Sequence, residues 1–236
     1  LQLLVQSIQL PPTIVLTAAD ITTLYPSIDI DDSIITVRNH LNRHPELLPP
    51  ITNLPTPLGH SRTPEDSIRD IHFVMDLITF VLKNNYVSFS NLNALQIKGV
   101  AMGISFAPTF SSIYIAELEL ETLEELKTEH NLTPEDIYFL HKRFIDDLFT
   151  IFKSLFLKTL FYQFFNNRRP SITCEEVNIQ CSSTTPNKNV DFMDVTFYLG
   201  PLFLSTGYLD SALYIKPINS FAHLPPCPLY PSDAAD

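Results

Sequence analysis

Two adjacent aspartates, Asp146 and Asp147, interrupt a run of apolar and aromatic residues. The segments 137–140 and 144–152 predict the two strands of a β-hairpin, with both carboxylates at its turn. Adjacent like charges among apolar residues are costly unless a cation compensates them. The pair therefore predicts both a buried sheet and a need for positive charge at one end of it.

A second carboxylate is predicted at a strand end. Residues 14–19 are apolar and partly β-branched, which is typical of a buried strand, and Asp20 follows them directly. Three aspartates at one strand end and one hairpin turn are a sufficient cradle for hard ions such as Mg²⁺. Two such ions, about 3.5–4 Å apart, support phosphoryl transfer.

The spacing of apolar residues and the positions of proline and glycine predict the remaining elements. Five prolines and a glycine predict a loop over residues 49–64, inserted within one domain. A helix over residues 107–126 carries five glutamates near its far end, which we expect to form a solvated face. Further helices are predicted over residues 32–41 with an Asp or Ser cap, 64–82 and 156–165, and further strands over 190–197 and 208–216.

Composition favours a globular intracellular protein. Of the 236 residues, 45% are hydrophobic and 17% charged, which argues against a disordered chain. Three cysteines without a C-x-x-C spacing indicate a reducing compartment, so we expect a nuclear or cytoplasmic location. No apolar run reaches the roughly 18 residues of a membrane span. The net charge of −11 is unusual for a nucleic-acid partner.

Five short segments with distinctive residues follow one another along the chain. They are residues 20–28 (Asp-Ile-Thr-Thr-Leu-Tyr-Pro-Ser-Ile), 85–108 with Gly-Val-Ala-Met-Gly at 99–103, 143–147 (Arg-Phe-Ile-Asp-Asp), 190–195 (Val-Asp-Phe-Met-Asp-Val) and 214–219 (Tyr-Ile-Lys-Pro-Ile-Asn). Their order resembles that of reverse transcriptase motifs, most closely in the Penelope-like retroelement branch related to telomerase. Phe144 replaces the first residue of the usual Tyr-x-Asp-Asp turn. Met102 matches the Penelope-like form, whereas retroviral enzymes have Gln.

The resemblance implies an RNA-directed DNA polymerase that adds deoxynucleoside triphosphates to a DNA primer on an RNA template. It assigns Asp20, Asp146 and Asp147, with the backbone carbonyl of Ile21, as ligands of two Mg²⁺ ions, or of Mn²⁺. Tyr25 corresponds to the aromatic residue under the incoming sugar. The pocket for nucleotide and template would be lined by Met102, Gly103, Ala107 and Pro108.

The resemblance also implies a fold and a domain arrangement. We expect an α+β polymerase palm, with a small, mainly antiparallel sheet and helices packed on one face, over residues 1–199. Residues 200–236 would be a remnant of the junction between palm and thumb. Fingers and nuclease segments are expected to be missing and supplied elsewhere. For Lys216, contact with primer or template and an ordinary solvated lysine both stay open.

Two functions from different classes are compatible with these residues. The first is the polymerase core. The second is a catalytically inactive palm remnant that acts at most as a nucleic-acid or protein interaction module, which the acidic balance favours. A palm-like nucleotidyl cyclase is a third possibility, but it leaves the segments 99–103 and 214–217 without a role.

Overall fold

A computed structural model describes residues 1–48, 63–176, 181–182 and 189–215. Its helices are α1 (Gln2–Gln6), α2 (Leu24–Ser27), α3 (Ile30–Arg43), α4 (Pro64–Lys83), α5 (Ala107–His130), α6 (Pro134–Ile137), α7 (Leu155–Arg168) and α8 (Phe203–Thr206). Its strands are β1 (Val15–Ile21), β2 (Tyr86–Phe89), β3 (Leu92–Leu95), β4 (Tyr138–Phe144), β5 (Asp147–Phe152), β6 (Cys174–Glu176), β7 (Cys181–Ser182), β8 (Asn189–Phe192), β9 (Val195–Tyr198) and β10 (Asp210–Leu213). A single 3₁₀ turn (Pro45–Leu47) follows α3. The chain has the expected α+β composition.

The central sheet has the strand order β4-β5-β1-β6, and β7 also pairs with β1. All of these pairings are antiparallel. Nearly all consecutive residues of β1 are buried. Since alternate side chains point to opposite sides of a strand, both faces of β1 are covered. The predicted neighbours, the strand ending near Asp20 and the hairpin with Asp146 at its turn, are therefore paired in the structure.

Helices cover one face of this sheet. Val15 and Ala19 of β1 pack there with residues of α3, α5 and α7, including Val37, Phe110 and Phe161. We call this cluster the helix-side core. Each large apolar side chain that is fully buried contributes about 1.5–3 kcal/mol, so this layer fixes the sheet against the helices.

A second sheet covers the opposite face. β8, β9 and β10 form an antiparallel sheet with β9 in the middle. Leu16 and Ala18 of β1 pack there together with Val190 and Phe197, and the ring centroids of Phe149 and Phe197 lie 4.8 Å apart. We call this cluster the sheet-side core. The sequence did not predict this second layer.

Local predictions were corrected at two places. The helix expected over residues 32–41 begins at Ile30, and its cap is Asp29, whose carboxylate accepts a hydrogen bond from the Asp32 amide at 2.9 Å. The single strand expected over residues 190–197 is a hairpin. The chain turns at Met193 and Asp194, and Met193 adopts a left-handed φ of 57°.

The solvated glutamate face predicted for α5 is wrong for several of its residues. Glu117 is 4% exposed and is hydrogen-bonded to His40 and Arg43. Glu119 accepts hydrogen bonds from Arg143 at 3.0 Å and from His141 at 3.1 Å. Because an unpaired buried charge is very costly, these partners explain how glutamates are accommodated on the inner side of the helix.

In the part of the chain that the structure describes, no helix combines the length and apolar character that crossing a membrane requires. The loop predicted over residues 49–64 lies mostly outside the described residues, which resume at Thr63. Thr63 caps α4, since its hydroxyl accepts a hydrogen bond from the Asp66 amide and Asp66 accepts one from the Thr63 amide in return.

Candidate active site

The register of the central sheet brings the predicted aspartates together. Asp20 in β1 lies directly opposite Asp147 in β5. Residues opposite each other in an antiparallel pair have Cβ atoms about 4.5–5.5 Å apart and point to the same face. Asp146 occupies the turn between β4 and β5, and its carbonyl accepts a hydrogen bond from the Ile21 amide at 3.0 Å. Two separate segments of chain thus present three carboxylates at one sheet end.

A fourth carboxylate lies beside them. Glu175 of β6 is opposite Asp20 on the other side of β1, so Asp147, Asp20 and Glu175 form a row across three strands. Sequence reasoning missed Glu175, because β6 has only three residues and no periodic pattern. The run Cys-Glu-Glu after an apolar helix was the only signal in the sequence.

The electrostatics of the row favour a cation. Burial and the charges of Asp146 and Asp147, with a smaller contribution from Glu175, raise the pKa of Asp20 above its ordinary value. Within the described part of the chain, no Lys or Arg forms an ion pair with Asp20 or Asp146. Negative charge is therefore concentrated around Asp20 and Asp146.

The residues fit a divalent ion in their donor chemistry. Mg²⁺ and Mn²⁺ bind carboxylate oxygens, and a bound cation would offset the burial and the repulsion that together raise the Asp20 pKa. Among the described residues, no three His, Cys, Asp or Glu side chains are gathered closely enough to hold one ion. Asp20, Asp146 and Asp147 would have to move closer to one another before all three could hold one ion together.

Tyr25 lies beside this row. Burial, and then the negative charge of Asp146, raise the pKa of its hydroxyl. Its carbonyl accepts a hydrogen bond from the Val100 amide at 2.8 Å. Gly99 has a φ of +78°, and a Cβ atom at this position would lie 2.7 Å from the Pro26 Cα atom. Glycine is therefore required for the segment 99–103 to pack against the Tyr25 turn.

The other predicted pocket residues differ in their exposure. Met102 is 72% exposed, and a Cβ atom on Gly103 would meet nothing within 4 Å. Pro108 is exposed in the first turn of α5. Ala107 is 0% exposed and belongs to the helix-side core, so its side chain is not available to a ligand. Lys216 lies outside the described residues.

The fold and the carboxylate row together define a palm-like α+β protein. No protein-family model and no curated protein matches the sequence. Among solved structures, the chain is similar to apo telomerase from Candida tropicalis, truncated from its C-terminal domain. The two share 13% sequence identity and a TM-score of 0.51 over 89% of this chain and 37% of the telomerase chain. The chain thus spans little more than a third of that protein, and the likeness establishes the fold.

Proposed function

We propose that this chain is the palm core of an RNA-directed DNA polymerase. The observation that carries the proposal is the pairing of Asp20 with Asp147 in adjacent strands, with Asp146 at the neighbouring turn. The proposed substrates are deoxynucleoside triphosphates, with an RNA template and a DNA primer. The Asp-x-x-x-Leu-Tyr and Phe-x-Asp-Asp segments support this assignment, and the palm-like fold agrees with it.

Each residue has a role in nucleotidyl transfer. Asp20, Asp146 and Asp147 provide the oxygen ligands for Mg²⁺ or Mn²⁺, and Ile21 provides a main-chain carbonyl. When two ions are bound, they stabilise charge on the attacking and leaving oxygens. Tyr25, held by its contact with Val100 beside Asp146, would take up the space that a 2′-hydroxyl needs and so select deoxynucleotides.

The origin that we propose is a retroelement of the Penelope-like branch. Its support is the sequence of the segment 99–103, Gly-Val-Ala-Met-Gly, with Met102 before Gly103. The exposure of Met102 and the open space at Gly103 leave this segment accessible to a template or nucleotide. Lys216 is a further proposed contact to primer or template.

One observation favours the alternative of an inactive palm remnant with an interaction role. The chain carries 26 acidic and 15 basic residues, and affinity for phosphates comes mainly from basic side chains. We therefore expect the chain alone to bind an RNA–DNA hybrid weakly and to show little or no primer extension.

Primer extension on an RNA template distinguishes the two functions. The chain is tested with Mg²⁺, with and without an added basic fingers segment from a reverse transcriptase, beside an Asp20→Asn variant. Incorporation that requires Mg²⁺ and disappears in the variant supports the polymerase. The remnant is favoured if the added segment restores no incorporation, and incorporation unchanged by Asp20→Asn contradicts the assigned site.

A further inference from the structure

Arg143, the residue just before Phe144 in β4, makes four hydrogen bonds beneath the aspartate turn. Its guanidinium donates to the Ile145 carbonyl at 3.0 Å, to the Ser112 carbonyl at 2.9 Å and to the Ser112 hydroxyl at 3.1 Å. Its Nε donates to Glu119 Oε1 at 3.0 Å. One side chain thus joins the turn of the β4–β5 hairpin to helix α5.

The arginine is held on the opposite side of the sheet from the carboxylates. Arg143 pairs with Leu148 of the helix-side core, whereas Asp147, one position along β5, points to the other face. The Arg143 side chain is only 10% exposed. Hydrogen bonds to a charged donor in such a setting are stronger and more directional than those at a surface.

The turn residue that Arg143 contacts has a demanding backbone conformation. Ile145 has a φ of 57°, which is rare for a β-branched residue and persists only where the surroundings enforce it. The turn at Met193 has the same φ of 57°, yet Asp191 occupies the position that corresponds to Arg143. A hairpin turn of this kind can therefore form without the arginine, which leaves placement of the turn against α5 as the arginine's particular contribution.

We propose that Arg143 is a positioning residue that sets the cation affinity of the aspartate site by fixing the β4–β5 turn. The inference rests on the proposed function, because it takes Asp20, Asp146 and Asp147 as the ligands. Residues that orient metal ligands through hydrogen bonds typically contribute 10–100-fold to metal affinity. Loss of the clamp lets the turn move relative to β1, so that Asp146 and Asp20 no longer share an ion.

The direction of the change in cation affinity on removal of Arg143 distinguishes a positioning role from a purely electrostatic one. Arg143 carries a positive charge close to the site, and if it acted only through this charge, its removal would strengthen cation binding. If it acts as a clamp, its removal weakens cation binding. Lys142, the preceding residue on the same strand, is exposed and provides the matched loss of one charge without loss of the clamp.

Mn²⁺ binding to the full chain, measured by electron paramagnetic resonance titration, tests the inference. We expect Arg143→Gln to weaken Mn²⁺ binding by about tenfold or more, and Lys142→Gln to leave it unchanged or slightly tighter. Arg143→Lys, which keeps the charge but not the fork of donors, should also bind Mn²⁺ weakly. Urea unfolding of each variant shows whether the fold is retained.

The variant Asp146→Asn distinguishes a failure of the proposed metal site from a failure of the positioning role of Arg143. If it has no effect on Mn²⁺ binding, the proposed site is wrong and the inference falls with it. If it abolishes binding while Arg143→Gln binds as tightly as the unchanged chain or tighter, the site stands and the positioning role is refuted. Should Arg143→Gln fail to fold, Ser112→Ala removes a single bond of the clamp, and unaltered Mn²⁺ affinity in both Ser112→Ala and Arg143→Lys overturns the inference.

Discussion

The two hairpin turns of this protein have the same local structure and different surroundings. Ile145 and Met193 each have a φ of 57°, and an aspartate follows each of them. The Asp146 carbonyl accepts a hydrogen bond from the Ile21 amide at 3.0 Å, and the Asp194 carbonyl accepts one from the Tyr214 amide at 2.9 Å. The backbone arrangement is therefore repeated, including the neighbouring third strand.

The side chains around the two turns differ at the position after the turn and at the position two residues before it. Asp147 follows the first turn and faces Asp20, whereas Val195 follows the second turn and faces Leu213. Before the turns stand Arg143 and Asp191, of which Asp191 accepts a hydrogen bond from the Thr196 hydroxyl. Phe144 and Phe192 occupy corresponding positions directly before the two turns, and this residue type is shared.

A Phe-x-Asp turn is therefore not enough by itself to gather carboxylates on neighbouring strands. Beside the second turn Val195 pairs with Leu213, whereas beside the first turn Asp20 pairs with both Asp147 and Glu175. For the proposed function, the strands that pair beside the turn supply the additional carboxylates. The two aspartates Asp146 and Asp194 form a matched pair for experiment.

The largest expected effect separates the two turns by activity. Asp146→Asn should reduce metal-dependent primer extension by about 10³-fold or more, which corresponds to about 4 kcal/mol of transition-state stabilisation. Asp194→Asn should change the rate less than about threefold, since its carboxylate is exposed and lacks the carboxylate row. The rates are compared in the presence of the added fingers segment. Equal losses in both variants would remove the distinction between the turns.

The next effect concerns the paired charges beneath the first turn. Glu119→Gln should lower the free energy of unfolding by about 3 kcal/mol at pH 7, because it leaves Arg143 and His141 without their anionic partner. Glu124→Gln, at an exposed position of the same helix, should change it by less than about 0.5 kcal/mol. Urea unfolding measures both.

The difference in the free energy of unfolding between the unchanged chain and Glu119→Gln should depend on pH in a defined direction. Burial opposes ionisation of Glu119, but hydrogen bonds and charges from His141 and Arg143 outweigh it and lower its pKa below the ordinary 4.5. A carboxylate with a lowered folded pKa contributes stability above its unfolded pKa and loses it as the pH falls through the folded value. The gap between the unchanged chain and Glu119→Gln should therefore narrow only below about pH 4.5. A gap that already closes near pH 6 would point to another titrating group.

A smaller effect concerns the Tyr25 turn beside the aspartate row, on which the segment 99–103 packs. Substitution of the two glycines of this segment tests that packing. Gly99→Ala should destabilise the protein by about 2 kcal/mol, since the new Cβ atom would lie 2.7 Å from the Pro26 Cα atom and the φ is positive. Gly103→Ala has open space and should cost less than about 0.5 kcal/mol. Thermal unfolding compares the two. Similar melting temperatures would show that the segment 99–103 does not pack on the Tyr25 turn.

The smallest effect concerns backbone strain at the second turn. Met193→Asn should raise the free energy of unfolding by about 0.5 kcal/mol, because asparagine tolerates a left-handed conformation and Met193 is 46% exposed. Ile145→Asn should give no such gain, since Ile145 also packs against the helix-side core. Chemical denaturation of both variants is the measurement. A gain at Ile145 equal to that at Met193 would mean that the two turns are strained alike and that packing at Ile145 contributes nothing.

Much of the first hairpin could be predicted from sequence, because strong local signals agree there. Apolar runs of strand length surround Asp146, and a buried run delivers Asp20. The second hairpin was predicted as a single strand because Val190 to Phe197 alternates without glycine or proline at the turn. A two-residue turn with Met193 in a left-handed conformation carries no composition signal.

Pairings between distant segments were beyond the sequence. Glu119 looks like a solvated glutamate until β4 brings His141 and Arg143 against α5. Glu175 gains meaning only through its register with Asp20. In both cases the information lies in tertiary contacts across more than 20 residues, which helix or strand periodicity does not report.

Strand β4 stands at the outer edge of the central sheet in the part of the chain that is described. Edge strands expose unpaired amides and carbonyls to other chains, and charged side chains discourage such pairing. β4 carries His141, Lys142 and Arg143 in succession, while Phe144 next to them is 52% exposed. We therefore expect the charged side chains of this segment to discourage edge-to-edge pairing with other chains. Arg143 belongs to this charged segment and also contacts the aspartate turn through the Ile145 carbonyl.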